Sequence, residues 1–157
     1  MPSENIKIRA ALIRDIPILL EFEQGVISAE RPMDSTLRAE NVKYYDLEKM
    51  ISSPDTQILV ATINDALVGS GYARIESGKI YNTFEKYAYL GFMFVKSDYR
   101  GLGINAKIIE NLKDWCLSRD ISELRLDVYH NNPSAIKAYQ KVGFESNMIN
   151  MRIDIRP

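Results

Sequence analysis

Apolar and polar positions alternate, or form short apolar runs, at several places along the chain, and such patterns are typical of β-strands. We predict strands in "IKIRAAL" at 6–12, "TQILVATI" at 56–63 and "ALVGSGYARIES" at 66–77. Asn64 and Asp65 separate the last two and suit a hairpin turn, so we expect those strands to pair antiparallel. "KYAYLGFMFV" at 86–95 is apolar at nearly every position, which predicts a strand buried on both faces in the middle of a sheet.

Other stretches carry signals for helices. "DIPILLEFEQGVI" at 15–27 predicts a helix with Asp15 as N-cap and Pro17 in its first turn. A shorter helix is predicted from about 43 to 51, inside the mostly polar segment 28–55 that we expect to face a substrate. A longer one is predicted from Ile104 to near Arg119, because apolar residues recur there at helical spacing: Ile104, Ile108, Leu112, Trp115 and Cys116.

The last third of the chain completes the predicted order of elements. "ELRLDVY" at 123–129 follows a helix and should therefore lie parallel to the strand at 86–95, through a βαβ crossover. A helix should follow, with Asn132 as N-cap, Pro133 in its first position and Gly143 just past its end. "MINMRIDI" at 148–155 predicts a last strand. The sum is a mixed α/β fold in a single domain, 1–157.

Composition narrows the class of protein. The 157 residues include 20 Lys and Arg against 21 Asp and Glu, so a net charge of -1 offers no basic field for nucleic acid. The lone Cys116 and lone His130 exclude an intramolecular disulfide and the common structural zinc sites, so we expect no metal. "MPSENIKIRA" lacks the apolar core of a signal peptide, and no apolar block reaches membrane-spanning length. We expect a cytoplasmic protein without membrane partners.

A turn with two glycines, "YRGLGIN", connects the predicted strand 86–95 to the helix that starts at Ile104. Glycines let a backbone approach a ligand closely, and the free N–H groups of a first helical turn bind phosphate oxygens. The same pair of glycines is also what a tight strand-to-helix corner requires. The turn is not a Walker loop, and it lacks the third glycine of the dinucleotide fingerprint, so nucleotide hydrolysis and hydride transfer lose support.

A second motif follows about thirty residues later, and together the two resemble the GNAT superfamily of N-acetyltransferases. That family's first motif, R/Q-x-x-G-x-G/A, resembles the stretch Arg100–Asn105 except at its last position, where Asn105 replaces a small residue. Its later motif, N-x-x-A-x-x-x-Y followed by G-F, is matched by Asn132, Ala135, Tyr139, Gly143 and Phe144. The order of elements fits across nearly the whole chain. The resemblance implies a GNAT-type fold, with a mostly antiparallel central sheet, a βαβ cofactor-binding unit and helices on both faces.

The resemblance also implies acetyl-CoA as co-substrate and a set of residues that bind it. Backbone groups of the fourth strand would hold the pantetheine arm and the thioester, and here they map to Met93, Phe94 and Val95. The pyrophosphate would lie on the amides of the glycine turn, and Asn132 would contact the cofactor near the next helix. The turn residues are Arg100, Gly101, Leu102, Gly103, Ile104 and Asn105.

The chemistry of acetyl transfer agrees with these roles. Backbone N–H groups at Met93 to Val95 can stabilise the oxyanion that forms when a neutral amine attacks the thioester. Tyr139, which the resemblance places near the cofactor sulfur, can protonate the leaving thiolate as general acid. A base must also deprotonate the ammonium group. The strand 86–95 contains no carboxylate, so the base stays open among Glu76, Glu85, Asp127 and His130.

The resemblance and the site chemistry lead to an expected function and to alternatives for it. The sequence predicts direct acetyl transfer to a primary amine of a small molecule or peptide, with a homodimer possible. The missing carboxylate leaves a non-catalytic acetyl-CoA sensor as an alternative, and a longer acyl-CoA is another. Glu30 and Arg31 either face the acceptor or form surface ion pairs. Six tyrosines either line an acceptor groove or fill element faces: Tyr44, Tyr45, Tyr72, Tyr81, Tyr87 and Tyr89.

Overall fold

A computed structural model describes residues 5–157 and divides them into two compact units. The first unit extends through Asp127, and the second comprises Val128–Pro157. Residues 1–4, where the sequence lacks signal-peptide character, lie outside the described part of the chain. The first unit contains all the strands found in residues 5–157, and the second contains one helix.

Five strands form one open sheet in the order β1-β2-β3-β4-β5. Their pairings are antiparallel except for the last, in which β5 runs parallel to β4. The predicted hairpin between β2 and β3 is confirmed, because Asn64 and Asp65 have φ of 50° and 65°, as a tight hairpin turn of two left-handed residues requires. The strands are β1 (Ile6–Ala10), β2 (Thr56–Ile63), β3 (Ala66–Ser77), β4 (Lys86–Val95) and β5 (Leu124–Arg125).

Helices cover both faces of this sheet, as predicted. Phe22 of the first helix and Leu47 of the second share a buried cluster with Tyr72 and Phe92 of the sheet. The third helix packs on the opposite face, where Ile108 lies directly against Gly71 of β3. The helices of the first unit are α1 (Ile16–Glu30), α2 (Leu47–Ser52) and α3 (Ile104–Ser118), and the second unit contains α4 (Pro133–Lys141).

The predicted βαβ unit is confirmed as β4, α3 and β5, although β5 is much shorter than predicted. Only Leu124 and Arg125 pair with β4, opposite Ala88 and Tyr89, whereas the sequence predicted a strand over 123–129. Alternation of side chains is therefore not sufficient to extend a strand, because a strand needs a partner along its whole length. β4 lies in mid-sheet as predicted, but only Ala88, Leu90 and Phe92 along it are buried.

Other boundaries also differ from the sequence-based predictions: β1 ends at Ala10 rather than Leu12, and α1 extends to Glu30 rather than Ile27. α2 begins at Leu47 rather than near Lys43, because Asp46 caps it by accepting a hydrogen bond from the backbone N–H of Lys49. The last strand predicted at 148–155 is wrong, since residues 145–157 have no regular secondary structure. Within residues 128–157 there is no strand that this segment pairs with, and an unpaired strand is not stable by itself. Its apolar side chains are highly exposed: Met148, Ile149, Met151, Ile153 and Ile155.

Candidate active site

A β-bulge interrupts β4 where the sequence predicted oxyanion-binding backbone groups. Phe94 lies opposite Ser70 and Gly91 lies opposite Tyr72, so two residues of β4 face the single residue Gly71. Phe92, the first of the two, has φ of 56°, a backbone conformation that is strained for a residue with a bulky side chain. The buried Ser70 hydroxyl donates to the Phe92 carbonyl oxygen at 3.0 Å. A bulge leaves backbone groups outside the ladder and available to a ligand.

Met93, the second residue of the bulge, points to the α3 side of the sheet. A Cβ atom built on Gly71 would lie 2.6 Å from the Met93 sulfur and 2.8 Å from the Ile108 Cγ2 atom. A side chain at position 71 would force Met93 or Ile108 to shift, so glycine at this position lets Met93 and α3 approach β3 closely. Packing against β3 and against α3 therefore holds the bulge in its position.

The strand pairing opens immediately beside the bulge. Among the described residues, β5 pairs only with Ala88 and Tyr89 of β4, and the register stops before Leu90. The edge of β4 from Leu90 to Val95 that would face β5 therefore carries backbone groups outside the β4–β5 ladder. This is the part of the sheet where the family resemblance places the pantetheine arm.

The glycine turn leads from the end of β4 to the start of α3. Gly101 and Gly103 have φ of 79° and 78°, in the left-handed region that favours glycine. A Cβ on either glycine would meet no atom within 4 Å, so conformation rather than crowding requires glycine here, and the space beside the turn is open. Arg100 donates from Nε to the Val95 carbonyl oxygen at 3.3 Å, which ties the turn to the end of β4.

The first turn of α3 presents the backbone amides that a phosphate group would bind. Gly103 is the N-cap, and its carbonyl oxygen accepts from the Lys107 N–H at 3.1 Å. The N–H groups of the first turn have no partner within the helix, and the helix dipole favours an anion beside them. Ile104 is buried against the sheet, whereas Asn105 is half-buried. Residues 100–105 therefore fit a pyrophosphate group.

The second unit holds the other predicted site residues. The Asn132 side chain caps α4 as predicted, accepting from the Ala135 N–H at 3.3 Å. Its side-chain carbonyl oxygen also accepts from the Ser134 hydroxyl at 3.2 Å. Tyr139 lies on α4 with its ring 6.0 Å from the Phe144 ring, edge to face. His130 is exposed.

Four of the six tyrosines come together on the α1 and α2 side of the sheet. Ring centroids are 5.7 Å apart for Tyr44 and Tyr45, 5.8 Å for Tyr45 and Tyr72, and 6.5 Å for Tyr72 and Tyr89. We call these four residues the tyrosine wall. The Tyr45 ring also lies 4.6 Å from the ring of Phe92, so the wall ends at the bulge.

Burial keeps the phenols of Tyr45, Tyr72 and Tyr89 neutral. Burial raises the pKa of Tyr45. It also raises the pKa of Tyr72, although the Arg74 guanidinium nearby acts in the opposite direction. The pKa of Tyr89 is also raised, first by burial and then by the neighbouring Asp127 carboxylate. Neutral phenols act as hydrogen-bond donors and apolar surfaces, and they do not serve as bases.

The segment 34–46, which carries Tyr44 and Tyr45, is attached to α1 by polar contacts. Glu23 is only 1% exposed, and its Oε2 atom accepts from the backbone N–H groups of Tyr44 and Tyr45 at 3.1 and 2.9 Å. Its Oε1 atom is buried without a hydrogen-bond partner. The Tyr44 hydroxyl donates to Glu30 at 3.1 Å. Glu23 and Glu30 thus hold one end of the tyrosine wall.

Glu30 and Arg31 make contacts that were not among the predicted alternatives. Glu30 is half-buried, and burial raises its pKa, opposed by the hydrogen bond from Tyr44. Arg31 donates from Nη1 to the Arg38 carbonyl oxygen at 2.6 Å. Both residues therefore bind the segment 34–46 rather than a surface ion-pair partner.

The carboxylates predicted as possible bases have different surroundings. Glu76 forms a salt bridge with Arg74 at 2.5 Å, and the Arg74 guanidinium lies over the Tyr72 and Tyr89 rings. Asp127 is exposed and accepts a hydrogen bond from the Tyr89 hydroxyl at 3.1 Å. Glu85 is exposed at the start of β4. Asp127 is therefore the carboxylate that contacts the tyrosine wall from the segment just after β5.

Cys116 is not placed for covalent chemistry. It is fully buried on α3, and burial raises the pKa of its thiol to about 11. A thiol in that state is a poor nucleophile near neutral pH, which fits direct attack by an acceptor better than an acyl-cysteine step. In residues 5–157 there is no cluster of metal-ligating side chains, and none of the helices there is long and apolar enough to span a membrane.

Sequence reasoning missed three features of this site: the bulge, the buried Glu23 and the Tyr89–Asp127 contact. The bulge leaves no sign in β4, because that strand is apolar on both sides. Glu23 did leave one, since it lies four residues after Leu19 and four before Ile27, on the buried face of α1. An acidic residue at that position predicts a buried hydrogen-bonding role.

The sheet has a parallel pair at one edge that opens beside a bulge, next to a glycine turn at a helix start, and this is the arrangement that the family resemblance implied. The model of the Acetyltransferase (GNAT) family matches residues 25–144. This chain belongs to that family, and the fold predicted from the resemblance is confirmed.

Known proteins are similar to this chain in sequence or in fold. An acetyltransferase of Yersinia pestis (strain Pestoides F) is 29% identical over 128 residues, covering 80% of this chain and 82% of that protein. Streptothricin acetyltransferase of Escherichia coli is 33% identical over 93 residues, which are 59% of this chain and 49% of that protein, about half its length. A predicted acetyltransferase of Clostridium acetobutylicum, solved with acetyl-CoA, superposes with a TM-score of 0.68 at 16% identity and covers 96% of both chains.

Proposed function

We propose that this protein transfers the acetyl group of acetyl-CoA directly to a primary amine of a small molecule or peptide. The observation that carries the proposal is the bulge in β4 beside the open glycine turn at the start of α3. The solved relative with acetyl-CoA supports the choice of co-substrate, and streptothricin acetyltransferase supports an acetyl acceptor of low molecular weight. We also propose that residues 1–157 act as one domain, because the family match crosses the boundary between the two units.

Each residue in the proposed site has a defined task. Arg100 to Asn105 bind the pyrophosphate through backbone amides, and the backbone of Met93 to Val95 holds the thioester and its developing oxyanion. Asn132 contacts the cofactor, and Tyr139 protonates the leaving thiolate. Acetyl-CoA supplies the activated acyl group. The tyrosine wall borders the bulge and is proposed to line the acceptor groove.

The binding half of the proposal is tested by thermal unfolding with acetyl-CoA, NAD or ATP. A ligand at a hundred times its Kd stabilises a protein by about 2.7 kcal/mol, which for a chain of this size raises Tm by roughly 5–10 °C. We expect that shift with acetyl-CoA and none with NAD or ATP. No shift at millimolar acetyl-CoA would contradict the cofactor site.

The catalytic half is tested by release of CoA thiol over a panel of polyamines, amino acids, aminoglycosides, streptothricin and peptides with free N-termini. Turnover with one class of amine identifies the acceptor. Binding of acetyl-CoA without turnover of any amine would favour the sensor, the alternative suggested by the absence of a carboxylate in β4. Faster transfer from a longer acyl-CoA would favour the other alternative, an acyltransferase that accommodates the longer acyl chain beside Met93.

Homodimer formation and a cytoplasmic location stay predictions. Light scattering of the purified protein measures its mass in solution and decides the first. Fractionation of cells that produce the chain decides the second.

A further inference from the structure

Asp127 lies where β5 leaves β4, close to the bulge. Arg125 is paired opposite Tyr89, and Asp127 follows Arg125 by two residues. Because side chains alternate along an extended chain that advances about 3.3 Å per residue, Asp127 falls on the Tyr89 side of the sheet and toward the level of Gly91. The 3.1 Å hydrogen bond from the Tyr89 hydroxyl agrees with that position. Gly91 is the residue immediately before the bulge.

The other carboxylates around the tyrosine wall are already engaged. Glu76 is paired with Arg74, Glu23 holds two backbone N–H groups, and Glu30 accepts from the Tyr44 hydroxyl. Asp127 accepts from the Tyr89 hydroxyl and differs from these three carboxylates because its side chain is exposed. An exposed carboxylate can take a proton from a bound group and release it to water.

We infer that Asp127 is the base that deprotonates the ammonium group of the acceptor, and that Tyr89 is its positioning residue. The inference rests on the proposed function. The Asp127 carboxylate accepts one proton from R–NH₃⁺, directly or through one water, and R–NH₂ then attacks the thioester carbon. The C–N bond forms, the C–S bond breaks, the nitrogen loses a second proton, and the departing CoA thiolate gains one. Asp127 passes its proton to solvent, so the net products are the amide, CoA thiol and one H⁺.

The groups around Tyr89 and Asp127 explain why Tyr89 positions the Asp127 carboxylate and does not itself act as the base. The Tyr89 ring contacts the Tyr72 ring, and the Arg74 guanidinium lies 5.5 Å from its centroid, with Glu76 paired to Arg74 beyond it. Burial and the Asp127 charge both raise the pKa of Tyr89, so its hydroxyl keeps its proton and donates it to the carboxylate in a hydrogen bond. That bond fixes which way the carboxylate faces.

The test compares acceptors that need a base with one that does not. Spermidine, lysine and tobramycin carry ammonium groups near neutral pH, whereas hydroxylamine is already neutral. We expect Asp127→Asn to lower kcat/KM for the ammonium acceptors by about a hundredfold or more, the usual range for a lost general base, and to change the hydroxylamine reaction by less than about threefold. Formate should restore part of the lost rate to Asp127→Ala.

Three further variants separate a chemical role from a structural one. Tyr89→Phe should lower the rate with ammonium acceptors by about tenfold, as expected for one lost hydrogen bond to a charged group. Asp114→Asn, an exposed acid on α3, is the matched control and should behave like the unaltered protein. The acetyl-CoA-induced rise in Tm should persist in every variant.

The outcomes distinguish the two proposals. If the unaltered protein releases CoA with no amine of the whole panel, including streptothricin and the peptides, the proposed function fails and the inference fails with it. If the unaltered protein is active and Asp127→Asn matches it, or loses activity equally with hydroxylamine, only the assignment of Asp127 is overturned.

Discussion

Glu23 offers the sharpest stability test of the candidate acceptor groove. Its carboxylate is buried beneath the segment 34–46 and accepts the backbone N–H groups of Tyr44 and Tyr45 through Oε2 alone. Replacing Glu23 by Ala removes the acceptor for both N–H groups, and replacing it by Gln keeps a carbonyl oxygen that accepts them. The comparison of the two variants therefore measures the contribution of the acceptor for these two N–H groups.

The size of the effect follows from these contacts. A hydrogen bond to a charged group contributes about 1.5–3 kcal/mol, so Glu23→Ala should cost on the order of 3–5 kcal/mol. Glu23→Gln keeps the two acceptor contacts without the charge, and the amide N–H₂ replaces an Oε1 atom that has no partner. We expect it to cost about 1 kcal/mol. For a chain of this size, 1 kcal/mol changes Tm by roughly 2–4 °C.

Urea denaturation followed by circular dichroism, with thermal melts in parallel, measures both variants. Glu21→Ala is the control, because Glu21 is an exposed acid on the same helix and surface substitutions usually change the free energy of unfolding by less than about 0.5 kcal/mol. If Glu23→Ala costs no more than Glu21→Ala, the buried carboxylate does not hold the segment 34–46, and the description of the tyrosine wall as a fixed surface is refuted.

Three other substitutions test the rest of the structure. Tyr139→Phe should slow acetyl transfer by about a hundredfold while the acetyl-CoA-induced rise in Tm stays the same, and unchanged turnover would end its role as general acid. Gly103→Ala should lower stability by about 1 kcal/mol, since only its φ of 78° and no neighbouring atom opposes a Cβ, and titration should show weaker acetyl-CoA binding. Asp15→Asn tests a pH dependence: the hydrogen bond from Arg9 lowers the pKa of the buried Asp15, so its contribution is full above the unfolded pKa of about 4 and is lost as the pH falls toward the folded pKa. The gap in unfolding free energy between Asp15→Asn and the unaltered protein should therefore shrink only in acid, and a gap that is constant down to about pH 2 would contradict it.

The elements that the sequence predicted correctly are those whose limits depend on local chemistry. β2, β3 and β4 have the predicted bounds, because turns with strong signals separate them, such as Asn64 and Asp65. α3 and α4 begin where predicted because Gly103 and Asn132 are their N-caps. The family motifs also lie on the elements that the resemblance implied. Local rules therefore predicted the parts of the chain that carry the proposed cofactor site.

The errors arose where pairing over long distances decides the outcome. β5 is only two residues long because β4 stops pairing with it at Tyr89, and nothing in the alternation of Leu124, Leu126 and Val128 indicates that limit. The segment 148–155 alternates just as well and forms no strand. Strand propensity describes a face that fits a sheet, and the partner has to come from elsewhere in the fold.

The bulge in β4 shows how the candidate site depends on contacts that no single stretch of sequence contains. A positive φ at Phe92 costs roughly 1–2 kcal/mol, and it persists only where its surroundings compensate. Three neighbours do so here: the buried Ser70 hydroxyl bonds the Phe92 carbonyl oxygen, the Tyr45 ring packs on the Phe92 ring, and Gly71 leaves space for Met93. Ser70 and Gly71 come from β3, and Tyr45 comes from the segment that Glu23 holds. The strained backbone that would bind the thioester and the tyrosine wall that would receive the amine are thus stabilised by the same contacts, so a change in the acceptor groove should also reach the oxyanion-binding strand.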